Sequence, residues 1–75
     1  MTLREFLEGL NPLYYRGYTV NVYTSDYIAK TLETFEFKNR KTAKSLETSV
    51  LSYSDFSGES QLDVFVNVFE EKRNA

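Results

Sequence analysis

The stretch Leu62-Asp63-Val64-Phe65-Val66-Asn67-Val68-Phe69 constrains the fold more than any other part of the chain. Side chains of a strand alternate between the two faces of a sheet. One face of this stretch is Leu62, Val64, Val66 and Val68, all aliphatic. The other is Asp63, Phe65, Asn67 and Phe69, half polar and half aromatic. The first face requires a covering layer, and the rest of the chain has to supply it.

Tyr18 to Thr24 repeats the pattern. Tyr18, Val20, Val22 and Thr24 share one face, and Thr19, Asn21 and Tyr23 share the other. Thr2 to Leu10 has the helical period instead. Leu3, Phe6, Leu7 and Leu10 form one apolar stripe, and Thr2 and Glu5 have capping-box spacing before the stop at Asn11-Pro12. So short a helix is unstable by itself in water and must dock on the aliphatic face. If Phe6 is fully buried, its loss costs about 3–5 kcal/mol.

Two readings compete after Ser25-Asp26. A turn there closes a hairpin, with a strand returning from Tyr27. An N-cap at Ser25 would instead place Ile28, Leu32 and Phe35 on one helix face. The hairpin is preferred. Lys38 to Thr48 is polar and basic, with Ala43 and Leu46 as its apolar anchors, and reads as a loop or a short exposed helix. Ser49 to Asp55 reads as a strand. Phe56 to Gln61 reads as a hairpin loop in which Gly58 supplies a positive φ. The strand at 62–69 follows, and 70–75 is expected to fray.

These elements fit a single α+β domain over residues 1–75. A short N-terminal helix packs on one face of a three- or four-stranded antiparallel sheet built from hairpins. The expected core is Leu3, Phe6, Leu7, Leu10, Val20, Val22, Leu62, Val64, Val66 and Val68.

With 75 residues and no cysteine, packing or association must hold this core without a disulfide. Histidine is absent too, which removes the commonest general base and metal ligand. Asp55, Glu59 and Asp63 recur every four residues, but across a hairpin loop rather than in a calcium loop. No cofactor or metal site is expected, and the chain is expected to be non-enzymatic. No run is apolar enough to span a bilayer, and the start lacks a secretory layout, so no membrane partner and a cytoplasmic location are expected.

Two surfaces invite a functional reading. Tyr23, Phe65 and Phe69 lie opposite the aliphatic stripe, and Tyr53 joins them if Val50 points inward. One short helix covers one face only, so these aromatics form an exposed patch suited to a protein partner or a second copy, unless residues 28–46 fold over them as core. A strand edge could serve the same purpose. The second surface is a basic island, Lys38, Arg40, Lys41 and Lys44, on a chain of net charge −2. Phe35 and Phe37 lie just upstream, an arrangement that can stack bases and contact phosphates. A solvated loop beside two core phenylalanines is the preferred reading, because the acidic remainder would repel a polyanion. A protein-interaction role is therefore placed first, and a nucleic-acid-associated role second.

Three segments carry a resemblance. Thr2-Leu3-Arg4-Glu5-Phe6-Leu7, Val20-Asn21-Val22-Tyr23, and the run from Ser49-Val50-Leu51-Ser52-Tyr53 to Leu62-Asp63-Val64-Phe65-Val66 resemble, in pattern, small accessory proteins of Gram-positive phages and conjugative elements. The resemblance implies a helix followed by a pair of hairpins, and no functional residue.

Overall fold

In a computed structural model of the chain, residues 1–67 are described. The helix α1 (Leu3–Glu8) opens the fold, and four strands follow: β1 (Thr19–Thr24), β2 (Thr31–Glu36), β3 (Ser49–Phe56) and β4 (Gln61–Asn67). They form one sheet in the order β2-β1-β4-β3. The fold is α+β, with a helix ahead of two hairpins.

The capping box forms as the spacing requires. The Thr2 hydroxyl accepts from the Glu5 amide at 3.2 Å, and the Glu5 carboxylate accepts from the Thr2 amide at 2.9 Å. Leu3 and Leu7 are buried, whereas Phe6 and Leu10 are half-buried. Phe6 therefore sits at the margin of the core, and its loss should cost less than that of a fully buried phenylalanine. The segment leading into α1 also pairs with the start of β3. Thr2 bridges Ser49, and the Val50 amide donates to the Met1 carbonyl at 2.9 Å.

After Ser25-Asp26 the chain forms a hairpin and not a helix. Its return strand starts at Thr31, four residues later than expected, because residues 25–30 are held as a turn. The Asp26 carboxylate accepts from the Thr24 hydroxyl at 2.9 Å and from the Ala29 amide at 3.1 Å. The Lys30 amide donates to the Thr24 hydroxyl at 2.9 Å, and Ala29 sits at φ +52°.

The sheet is mixed, which corrects the fully antiparallel expectation. Each hairpin is antiparallel within itself, but β1 and β4 lie side by side in parallel, Thr19 opposite Gln61 through Thr24 opposite Val66. These are the two strands with uninterrupted aliphatic faces, so adjacency puts both in the best-covered position. The path of the chain fixes their sense. β2 ends beside Thr19 at one end of the sheet, and β3 begins beside Asn67 at the other. Residues 37–48 cross the sheet between those ends. They include a 3-10 segment, Phe37–Thr42, and deliver Phe37 and Leu46 to the core. The basic stretch is thus a crossover with two buried apolar anchors, Leu46 as expected and Phe37, one of the two phenylalanines that the solvated-loop reading placed in the core.

The core consists of Leu3, Leu7, Tyr18, Val20, Val22, Phe37, Leu46, Leu62, Val64 and Val66. All pack on one side of the sheet, the inner face. Val68, also expected there, lies outside the described residues. In the β3–β4 connection, Ser60 rather than Gly58 adopts the positive φ, at +52°. The tight link is a short 3-10 turn, Ser57–Glu59, and Ser60 caps its end.

Candidate functional site: the open sheet face

The opposite, outer face is laid out in three rows that cross all four strands. Register places Glu36, Thr19, Gln61 and Phe56 in one row. Thr34, Asn21, Asp63 and Ser54 form the next, and Thr31, Tyr23, Phe65 and Ser52 the third. None of these twelve side chains is buried, so no described segment covers the face. Ten are uncharged, two are acidic and none is a cation.

Hydrogen bonds tie the middle of the face together. Asp63 Oδ1 accepts from Asn21 Nδ2 at 3.0 Å and from Gln61 Nε2 at 3.1 Å. Asn21 Oδ1 accepts from Thr34 Oγ1 at 2.9 Å. This chain of bonds links β2, β1 and β4 and fixes the side chains before any ligand arrives. Beside it, Tyr23 and Phe65 stack with ring centroids 5.4 Å apart and planes inclined by 24°. Both rings are half-buried and leave part of their surface to solvent.

The four residues expected to form an aromatic patch therefore separate. Tyr23 and Phe65 meet. Phe69 lies outside the described residues. Tyr53 lies on the inner side, opposite Val64, with its ring 5.0 Å from that of Phe6. The reason is a β-bulge. Between Val50 and Ser52 the register shifts, and Leu51 is the extra residue. An extra residue reverses the alternation beyond it. Val50 points inward as supposed, yet Tyr53 does too.

The basic island is dispersed as well. Lys38 pairs with Glu36 at 3.4 Å and lines a 180 Å³ groove with Arg16. The Arg40 guanidinium lies over the Phe37 ring, 4.3 Å from its centroid, and donates to the Phe37 carbonyl at 3.2 Å. Arg40 and Lys41 line a separate 60 Å³ cleft with Arg4, but Glu8 lines it too, and Arg4 is engaged by Glu47. Lys44 sits where its amide and that of Ser45 donate to the Glu33 carboxylate at 2.7–3.0 Å. Phe35 packs against the core and Phe37 is within it, so neither ring is free to stack a base.

Two clusters were not anticipated. Tyr15 and Tyr18 both donate to the Asp55 carboxylate at 2.9 Å, and the rings of Tyr14, Tyr15 and Tyr18 lie 4.7–5.8 Å apart. Desolvation, then the bond to Asp55, pushes the Tyr15 phenol up to about 12. Tyr18 is raised as well, by Tyr14 first, then by burial and by Asp55. The i, i+3 spacing of Tyr15 and Tyr18 was visible, but no local pattern points to an acid forty residues away. The second is the exposed pair Tyr27 and Ile28, expected to begin the return strand but presented, with Tyr27 at 99% exposure, on the turn that Ser25-Asp26 was expected to open. The turn's signal was the Thr24-Ser25-Asp26 run, which favours side-chain-closed turns.

Asp55 and Asp63 fall on opposite faces of the sheet, so the carboxylates spaced every four residues do not converge. Among the described residues no group of three or more acidic side chains is placed to hold a metal ion, and no helix is long and apolar enough to cross a membrane. No protein-family model matches the chain, and no curated protein or solved structure is significantly similar to it.

Proposed function

We propose that the protein is a non-enzymatic interaction module of the cytoplasm that binds a protein partner on the open sheet face. One observation carries this reading. A preorganised surface of serine, threonine, asparagine and glutamine, with two acidic residues, Phe56 and a stacked aromatic pair, is left uncovered by every described segment. Such a surface combines rigid aromatic contact with adaptable hydrogen bonding, the chemistry that protein-binding surfaces use. Tyr23 and Phe65 are the anchors, and the Asn21–Asp63–Gln61 bonds hold the polar groups in fixed directions. A polyanion gains nothing there, since Glu36 and Asp63 are the charges on the face.

The test is affinity capture from extract of the source cell with the wild type, with Tyr23→Ser/Phe65→Ser, and with Lys38→Ala/Arg40→Ala/Lys41→Ala/Lys44→Ala. The expected result is a protein retained by the wild type and the alanine variant, lost with the serine variant, and stable to high salt. Recovery of nucleic acid that washes off with salt, and that needs the four basic residues, would replace this reading with the nucleic-acid one.

A further inference from the structure

The two edges of the sheet are β2 and β3, and they are protected unequally. Edge strands tend to pair with other strands unless charge, proline or a bulge prevents it. The β2 edge is six residues long, is interrupted by a register shift at Leu32, ends in the exposed Glu36, and is flanked by the exposed Lys30 and Lys38. The β3 edge, Ser-Val-Leu-Ser-Tyr-Ser-Asp-Phe, is eight residues long and contains no lysine, arginine, proline or glycine. It exposes Leu51, Tyr53 and Phe56 at 58%, 53% and 44%. Its single charge, Asp55, is turned to the hydroxyls of Tyr15 and Tyr18 and does not guard the edge. Its first residues already accept a strand-like partner, since Thr2 bridges Ser49 and Val50 binds the Met1 carbonyl. Beyond the bulge at Leu51, Ser52–Phe56 is regular and has no partner on that side among the described residues.

We infer that two copies of this chain join through β3, antiparallel across a two-fold axis at Ser54, into one continuous eight-stranded sheet. Residues directly opposite in an antiparallel pair share a face, so the axis must pass through a residue rather than between two. Ser54 is the centre of the free regular run. Tyr53 then opposes Asp55 of the second copy, Ser52 opposes Phe56, and Ser54 opposes itself. No charge meets its like, because Asp55 would face its counterpart only if the axis passed through Asp55. The two-fold keeps the outer faces of both copies on one side, so it doubles the open face without covering it. The pairing uses the backbone edge of β3; Ser52, Ser54 and Phe56 also belong to the outer face, but the anchors proposed for the partner, Tyr23 and Phe65, lie on β1 and β4, so each reading can fail alone.

Sedimentation equilibrium of the full chain from micromolar to millimolar concentration, at low and high salt, tests the pairing. The expected result is a salt-insensitive dimer. Ser54→Lys, which sets two cations against each other at the axis, should raise the dissociation constant at least about tenfold. Leu32→Lys, at an exposed position of the other edge strand, should leave it unchanged. Amide hydrogen exchange gives a readout that needs no variant. Protection within Ser52–Phe56 should rise with protein concentration, and protection within Thr31–Glu36 should not. A monomer at every concentration, a dimer untouched by Ser54→Lys in a folded variant, or exchange of Ser52–Phe56 independent of concentration would each overturn the inference.

Discussion

The two faces of this sheet share every backbone atom and differ in almost everything else. On the inner face Val20, Val22, Leu62, Val64 and Val66 are wholly removed from water. On the outer face, one residue away in each case, not one side chain is buried. The difference comes from where the connections run. Leu3 and Leu7 of α1, Tyr18 ahead of β1 and the 37–48 crossover all place their buried side chains on the same side. The strands then divide the labour, since residues with no cover must either satisfy one another, as Asn21, Asp63 and Gln61 do, or wait for a ligand.

Removing cover should produce the largest effect. Phe37 is buried at the start of the crossover, and Phe37→Ala should cost about 3–5 kcal/mol, enough to unfold much of a domain this small. Phe6, half-buried at the margin, should cost clearly less, about 2 kcal/mol. Urea titrations of both variants rank them. An equal cost would mean that α1 and the crossover contribute alike.

The next contrast lies between neighbours in one strand. Leu62→Ala should lose about 2–5 kcal/mol, whereas Asp63→Ala, one position on but facing outward, should lose about 1 kcal/mol or less. The same titrations measure both, and comparable losses would erase the distinction between the faces.

The smallest effect is expected from pH. The phenols of Tyr15 and Tyr18 are raised in the folded protein, so the neutral forms favour folding. Unfolded tyrosine titrates near about pH 10. This stabilisation is therefore whole below that value, and it is lost as pH rises through the folded value of about 12 for Tyr15. Thermal melts between pH 8 and pH 11 should show a falling midpoint, and Tyr15→Phe/Tyr18→Phe should flatten the slope. A slope unchanged in the double variant would assign the alkaline sensitivity to other groups.

Periodicity made the inner face legible. The alternations at 18–24 and 62–67, the capping box at Thr2 and Glu5, and the apolar stripe of α1 are local patterns, and the structure follows them. Long-range choices were not legible. A one-residue bulge at Leu51 moved Tyr53 to the other face, and nothing in Ser-Val-Leu-Ser-Tyr announces where an extra residue will fall. The parallel pairing of β1 and β4 depends on which end of the sheet residues 37–48 reach, which no short window encodes. The same is true of Glu33, whose carboxylate binds two crossover amides, and of Asp55 between two tyrosines. Of the candidate site, the placing of Tyr23 and Phe65 opposite the aliphatic stripe was visible in sequence, while the exposure of that face, its three-row layout and the bonds among its polar members depended on where residues 28–46 ran and on the register.

The parallel central pair also imposes an order of events during synthesis. It joins Thr19 to Gln61, 42 positions apart. The segment that opens the chain likewise waits for Thr48, Ser49 and Val50 before its backbone finds partners. A ribosome releases β1 long before β4, so the first hairpin emerges with its aliphatic strand unaccompanied on one side. Closing contacts of such high sequence separation is slow. Until β4 arrives the early half of this protein is therefore an incomplete sheet, with one side of β1 unpaired and the guarded β2 strand as its other edge.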